Sequence, residues 1–121
     1  MRPSFKQVID RPFLGIEHVH PLQQRKVREL VDHFSENPDI KRVILFGSSV
    51  DMNCNIDSDI DIYIESDCYD DLLKKAFHFP IDRITPDMLS ESLRKEIKRH
   101  GVVIYERRDI SSDEGQSDES I

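Results

Sequence analysis

A chain of 121 residues with a formal net charge of −7 has room for one modest core and not for two, and its acidity makes it a poor general binder of nucleic acid. Its two cysteines, Cys54 and Cys68, suggest no disulfide framework; with no signal peptide they read as reduced thiols of a cytoplasmic protein. The longest purely apolar run, Val43 to Phe46, is far too short to span a membrane, and no internal repeat is present.

Residues 1–21 carry Pro3, Pro12 and Pro21 and no clear periodicity, so an irregular arm is expected, with a short extended piece at Phe13 to Ile16. His18-x-His20 has the spacing of half a metal site but no further ligand nearby, and reads as two ordinary polar residues before a helix. Leu22 to Ser35 is predicted helical. Val27, Leu30, Val31 and Phe34 make one apolar stripe, and Gln23, Arg25, Lys26 and Glu29 are assigned to the other faces. Glu36-Asn37-Pro38 ends the helix, because proline disfavours helix at the residue before it. Its stripe should lie against the sheet as scaffold.

Val43 to Phe46 reads as a buried strand, stopped by Gly47-Ser48-Ser49. Glycine allows close approach of a ligand to the backbone, and a Gly-Ser turn offers N–H groups and a hydroxyl to phosphate oxygens. Ten residues separate Ser48 from Asp59. They form a loop rich in Asn and Asp, in which Asp57 is taken as a turn residue. The chain then alternates: Asp59, Asp61 and Tyr63 on one face, Ile60, Ile62 and Ile64 on the other. The isoleucines must face a core, which leaves the two aspartates side by side, roughly 6–7 Å apart along the strand. Adjacent carboxylates repel unless a positive charge sits between them. Mg²⁺ suits that role, since it takes hard oxygen ligands and prefers one or two carboxylates plus substrate phosphates. A phosphate-holding turn followed by a metal-holding Asp-x-Asp is the chemistry of nucleotidyl transfer. The bland reading is a hairpin with a solvated acidic face.

Asp67 to Lys75 is expected to be a short helix. Phe79 to Ile84 is the third strand, with Asp82 as a charge inside an apolar segment; its partner is a metal or a neighbouring Arg or Lys. Thr85-Pro86-Asp87 is a strong helix start, with Ser90-Glu91 as a second one that would leave the first turn separate. Leu89, Leu93 and Ile97 form the buried stripe, and Gly101 the stop. Arg94, Lys95, Lys98 and Arg99 make a basic face, most simply a solvated one. Val102 to Tyr105 is the last strand. The acidic segment 107–121, five acids against two arginines, is expected to be a disordered tail. The domain proper is 22–106. Its fold class is α/β, a small mixed sheet with helices packed mainly on one side and the carboxylates on the other.

Gly47-Ser48-x10-Asp59-x-Asp61 resembles the signature of the minimal nucleotidyltransferases of the DNA polymerase β-like superfamily. Phe79 to Pro86 resembles the strand carrying that family's third carboxylate, which falls on Asp82. Gly101-Val102-Val103-Ile104-Tyr105-Glu106 resembles its last strand. The resemblance implies a two-metal Mg²⁺ site on Asp59, Asp61 and Asp82, a triphosphate of ATP oriented by Gly47 and Ser48, and transfer of AMP with loss of pyrophosphate. It further implies a stand-alone antitoxin whose acceptor is a tyrosine of a partner HEPN toxin. The alternatives are transfer to a small molecule or a tRNA end, working as an oligomer, and a non-catalytic nucleotide- or partner-binding module. Many relatives have Arg-Gly shortly after Gly-Ser, where this chain has Asp51-Met52; that departure implies weaker binding of the triphosphate.

Overall fold

The apolar run of the first strand, β1 (Ile40–Phe46), is continuous because both of its faces are buried. The structure is a computed structural model and describes residues 3–69 and 77–107; the expected helix at Asp67–Lys75 and the tail beyond Arg107 fall largely outside them. Val43 and Leu45 point to one side, together with Ile60, Ile62 and Ile64 of β2 (Ile60–Ser66) and Val102 and Ile104 of β4 (Val102–Glu106). Ile44 and Phe46 point to the other side, with Tyr63. With β3 (Ile81–Ile84) the sheet has the order β3-β2-β1-β4. β1 runs antiparallel to β2 and β4, and β2 runs parallel to β3, so the sheet is mixed, as expected.

Helix α1 (Pro21–Phe34) covers the first face with the predicted stripe, Val27, Leu30, Val31 and Phe34. Burying each such side chain contributes about 1.5–3 kcal/mol. One assignment is corrected: Gln23 is fully buried, because it lies four residues before Val27 and so extends the stripe by one turn. Helix α2 (Glu91–His100) lies on the second face, where Ile97, Leu93 and Leu89 pack with Ile44, Phe46 and Tyr63. The shorter helix therefore shares the carboxylate side of the sheet. Of the two helix starts, Ser90 begins α2, its hydroxyl accepting from the Leu93 N–H at 3.1 Å. Thr85-Pro86-Asp87 begins only a 3-10 turn, Pro86–Met88, because the Thr85 hydroxyl is spent on the Asp87 carboxylate and caps no backbone group. Gly101 stops α2 without a left-handed turn. A Cβ there would meet the Ile97 carbonyl and, at 2.6 Å, the Ile44 side chain.

The N-terminal arm contributes more than its irregular sequence implies. Phe13, Ile16 and Val19 enter the core of the α1 face. The extended piece expected at Phe13 to Ile16 is instead a turn, with Gly15 at φ 77° leading into a 3-10 helix, Ile16–His18. A Cβ on Gly15 would stand 2.6 Å from Val102 Cγ1. The histidines have local partners: His20 caps α1 by accepting from the Leu22 N–H at 3.1 Å, and His18 Nδ1 lies 2.9 Å from the Pro3 carbonyl.

Candidate active site

The site forms where β1 ends and β2 begins. Phe46 pairs with Asp61 across the antiparallel ladder, so the turn that follows Phe46 arrives beside the Asp61 carboxylate. Gly47 sits at φ 77°, a left-handed conformation that side chains disfavour, and any Cβ there would collide with that carboxylate. Glycine is required twice over at this point. Gly47–Val50 then winds as a 3-10 turn, leaving Ser48 half-buried and Ser49 fully buried.

The parallel register of β2 and β3 sets Asp61 directly opposite Asp82. Ile60, Ile62 and Ile64 are wholly buried on the α1 side, which holds the aspartates to the other face as the alternation predicts. The consequence is electrostatic. The Asp61 carboxyl is pushed up to about 6, first by burial, then by the charge of Asp82 and a hydrogen bond with it, and further by the charges of Asp59 and Glu96. Asp59, one residue before β2, and Asp82 are both exposed. Among the described residues no ion pair from Lys or Arg reaches any of these four carboxylates.

The structure thus brings Gly47, Ser48, Asp61 and Asp82 together, with Asp59 close enough to act on Asp61 by charge. Among the described residues no three candidate ligands stand at metal-ligating separation. The donor set nevertheless suits a hard cation: it is all carboxylate oxygen, crowded enough to push the Asp61 carboxyl up to about 6, and a divalent ion would favour its ionised form. Asp57 is a turn residue, its N–H donating to the Asn55 side chain at 2.9 Å. A cavity of about 800 Å³ lies elsewhere, between the arm, α1 and the approach to β3, and none of these site residues lines it.

Sequence reasoning missed Glu96 and Gln23. Glu96 had no signal, since only the packing of α2 on the carboxylate face brings it near Asp61. Gln23 had one: a polar residue in register with an apolar stripe.

The family described as "Polymerase beta, Nucleotidyltransferase" matches residues 28–110, more than half of the chain. No curated protein matches it. A crystal structure of a toxin–antitoxin with AMP-PNP is similar at a TM-score of 0.52 and 22% identity, over 69% of this chain and 73% of that one. A second, of the toxin–antitoxin MntA-HepT, is similar at 0.46 and 22%, over 72% of this chain and 73% of that one. Among the described residues no helix is long and apolar enough to cross a membrane.

Proposed function

The chain belongs to the polymerase β nucleotidyltransferase family, and on that premise we propose that it transfers AMP from ATP to a tyrosine hydroxyl of a partner HEPN toxin and so acts as its antitoxin. The observation that carries the proposal is the Asp61–Asp82 pair set beside the Gly47-Ser48 turn. Asp59, Asp61 and Asp82 would hold Mg²⁺, which supplies charge neutralisation at the phosphates and lowers the pKa of the attacking hydroxyl. Gly47 leaves the backbone open to phosphate oxygens, and Ser48 offers its hydroxyl. The tyrosine oxygen bonds to the α-phosphorus, the α–β bridging bond breaks and pyrophosphate leaves. Tyrosine, with a pKa near 10, must lose its proton to become this nucleophile, and Asp82 would accept it. A protein of this fold named as a toxin–antitoxin with AMP-PNP supports both the nucleotide and the class of partner.

The test mixes the protein with the HEPN toxin proposed as its partner, ATP and Mg²⁺, and weighs the toxin intact. One or more added AMP units, lost with Asp61→Asn or EDTA, is the expected result. The non-catalytic module is kept as a second reading because exposed Asp51 and Met52 supply no cation after the turn. An unmodified toxin inhibited equally by wild type and by Asp61→Asn would favour it.

A further inference from the structure

Two consecutive glutamines of α1, Gln23 and Gln24, are fully buried, and their partners differ in kind. Gln24 spends three hydrogen bonds on the arm. Its amide donates to the Lys6 carbonyl at 2.8 Å and the Val19 carbonyl at 3.0 Å, and its oxygen accepts from the Val8 N–H at 2.7 Å. It is a structural pin. Gln23 donates to the Ser49 hydroxyl at 3.3 Å and the Ser58 carbonyl at 3.1 Å, but among the described residues its own oxygen has no partner. The reverse amide orientation would set that oxygen against the Ser58 carbonyl, acceptor to acceptor, so the donors are correctly placed.

A buried oxygen without a partner is a net loss of stability, and Gln23 occupies a stripe position that an aliphatic side chain would fill at no such loss. What glutamine has and leucine lacks is two donors on one rigid amide. Each goes to a different segment of the candidate site. Ser49 follows Ser48 in the phosphate-holding turn, and Ser58 precedes Asp59 at the approach to β2. The same end of α1 grips both segments again. The His20 N–H donates to the Ser49 carbonyl at 2.8 Å, and Lys26 Nζ donates to the Ile56 carbonyl at 2.9 Å.

We infer that Gln23 is a positioning residue of the nucleotidyl-transfer site, a strut that fixes the Gly47–Ser49 turn relative to the Ser58–Asp59 segment. It touches no reacting atom. Its catalytic consequence rests on the function proposed above: if the turn and the aspartates act on one triphosphate, a displacement of about 1 Å between them lowers the rate about a hundredfold. Its mechanical consequence rests on the geometry alone.

The test compares wild type with Gln23→Met, which keeps volume and removes both donors, and with Ser49→Ala, which removes one contact and spares the fold. Hydrogen exchange is read on the full chain. In Gln23→Met the amides at 47–51 and 58–61 should exchange at least tenfold faster, with those of the remaining β-strands unchanged. In Ser49→Ala only 47–51 should change. AMP transfer to the toxin should fall at least tenfold in kcat for Gln23→Met, with a smaller change in the KM for ATP and an unchanged melting temperature. Wild-type exchange in both segments together with kcat within twofold, in Gln23→Met or, should that variant not fold, in Ser49→Ala, would overturn the inference. A wild-type protein that transfers no AMP would sink the proposed function instead, and the exchange result would still decide the role of Gln23.

Discussion

The two ends of the same pair of strands treat charge in opposite ways. Where β1 begins, Arg42 meets Glu65 in a two-bond fork, both at 3.0 Å, and both side chains are mostly buried. Beside them Asp67 takes Lys41 at 3.4 Å and Arg107 at 3.3 Å, while Arg107 also donates to the Pro38 carbonyl. Where β1 ends, Asp61 faces Asp82, with Asp59 and Glu96 adding like charge and, among the described residues, no Lys or Arg ion pair to any of them. The neutralised end is scaffold. The uncompensated end is stable only because the rest of the sheet holds it, which is the expected signature of a site waiting for a positive ligand.

Removing charge from the crowded end should have the largest effect on activity and the mildest on the fold. Asp61→Asn is expected to lower AMP transfer at least a thousandfold by intact-mass assay, while the ligand-free protein melts at the same temperature or higher because repulsion is relieved. The Mg²⁺–ATP-induced rise in melting temperature should vanish with it, since only a ligand bound to the native state gives that rise. A full ligand-induced shift in the variant would place the site elsewhere.

The neutralised end should respond in reverse. Arg42→Ala leaves Glu65 largely buried without its fork, and should cost about 1–3 kcal/mol in urea unfolding, with kcat within about threefold of wild type. A loss of activity exceeding the loss of stability would mean that the two ends are coupled.

How legible this contrast was in the sequence depends on the range of the interaction behind each part. Period-two alternation along 59–64 needs only neighbours, so the faces of Asp61 and Ile62 were readable, and so was the α1 stripe. The Asp61–Asp82 pairing required knowing that β2 and β3 are parallel and in that register; the family resemblance pointed to it, and spacing alone left the partner of Asp82 open. The arm was the least legible. Phe13, Ile16 and Val19 follow no period, and their burial depends on Gly15 turning tightly against Val102. The first turn at Thr85 stands apart from α2, as the second start at Ser90 allows, for a local reason: the Thr85 hydroxyl has two partners to choose from, and it goes to the Asp87 side chain instead of the backbone.

The comparison sharpens further with pH. The Asp61 carboxyl titrates near 6 in the folded protein and at about 3.8 in the unfolded chain. Between those values the folded state binds more protons, so stability falls as pH rises through the window from about 4 to about 6. The ligand-free wild type should therefore lose melting temperature relative to Asp61→Asn across that interval, and the difference should be flat above it. Saturating Mg²⁺ should shrink the difference, because a bound cation favours the ionised carboxylate.

Asp67 should show the opposite sign and the smallest effect. Hydrogen bonds from Arg107 first, and then from Lys41, hold its carboxyl below the usual range, more than offsetting burial. A group depressed in this way contributes stability above its unfolded pKa of about 3.8 and loses it as pH falls through the folded value. The difference between wild type and Asp67→Asn should thus be constant at neutral pH and close on the acid side of about 4, where the Asp61 difference has yet to open. Its size should be modest: the group is exposed, both partners are screened by solvent, and Arg107 keeps its bond to the Pro38 carbonyl in the variant. A shift in melting temperature of no more than about 2 °C at pH 7, shrinking further in high salt, is expected. A larger, salt-insensitive loss would show that the chain beyond β4 is anchored through Asp67 and that this end of the sheet depends on it.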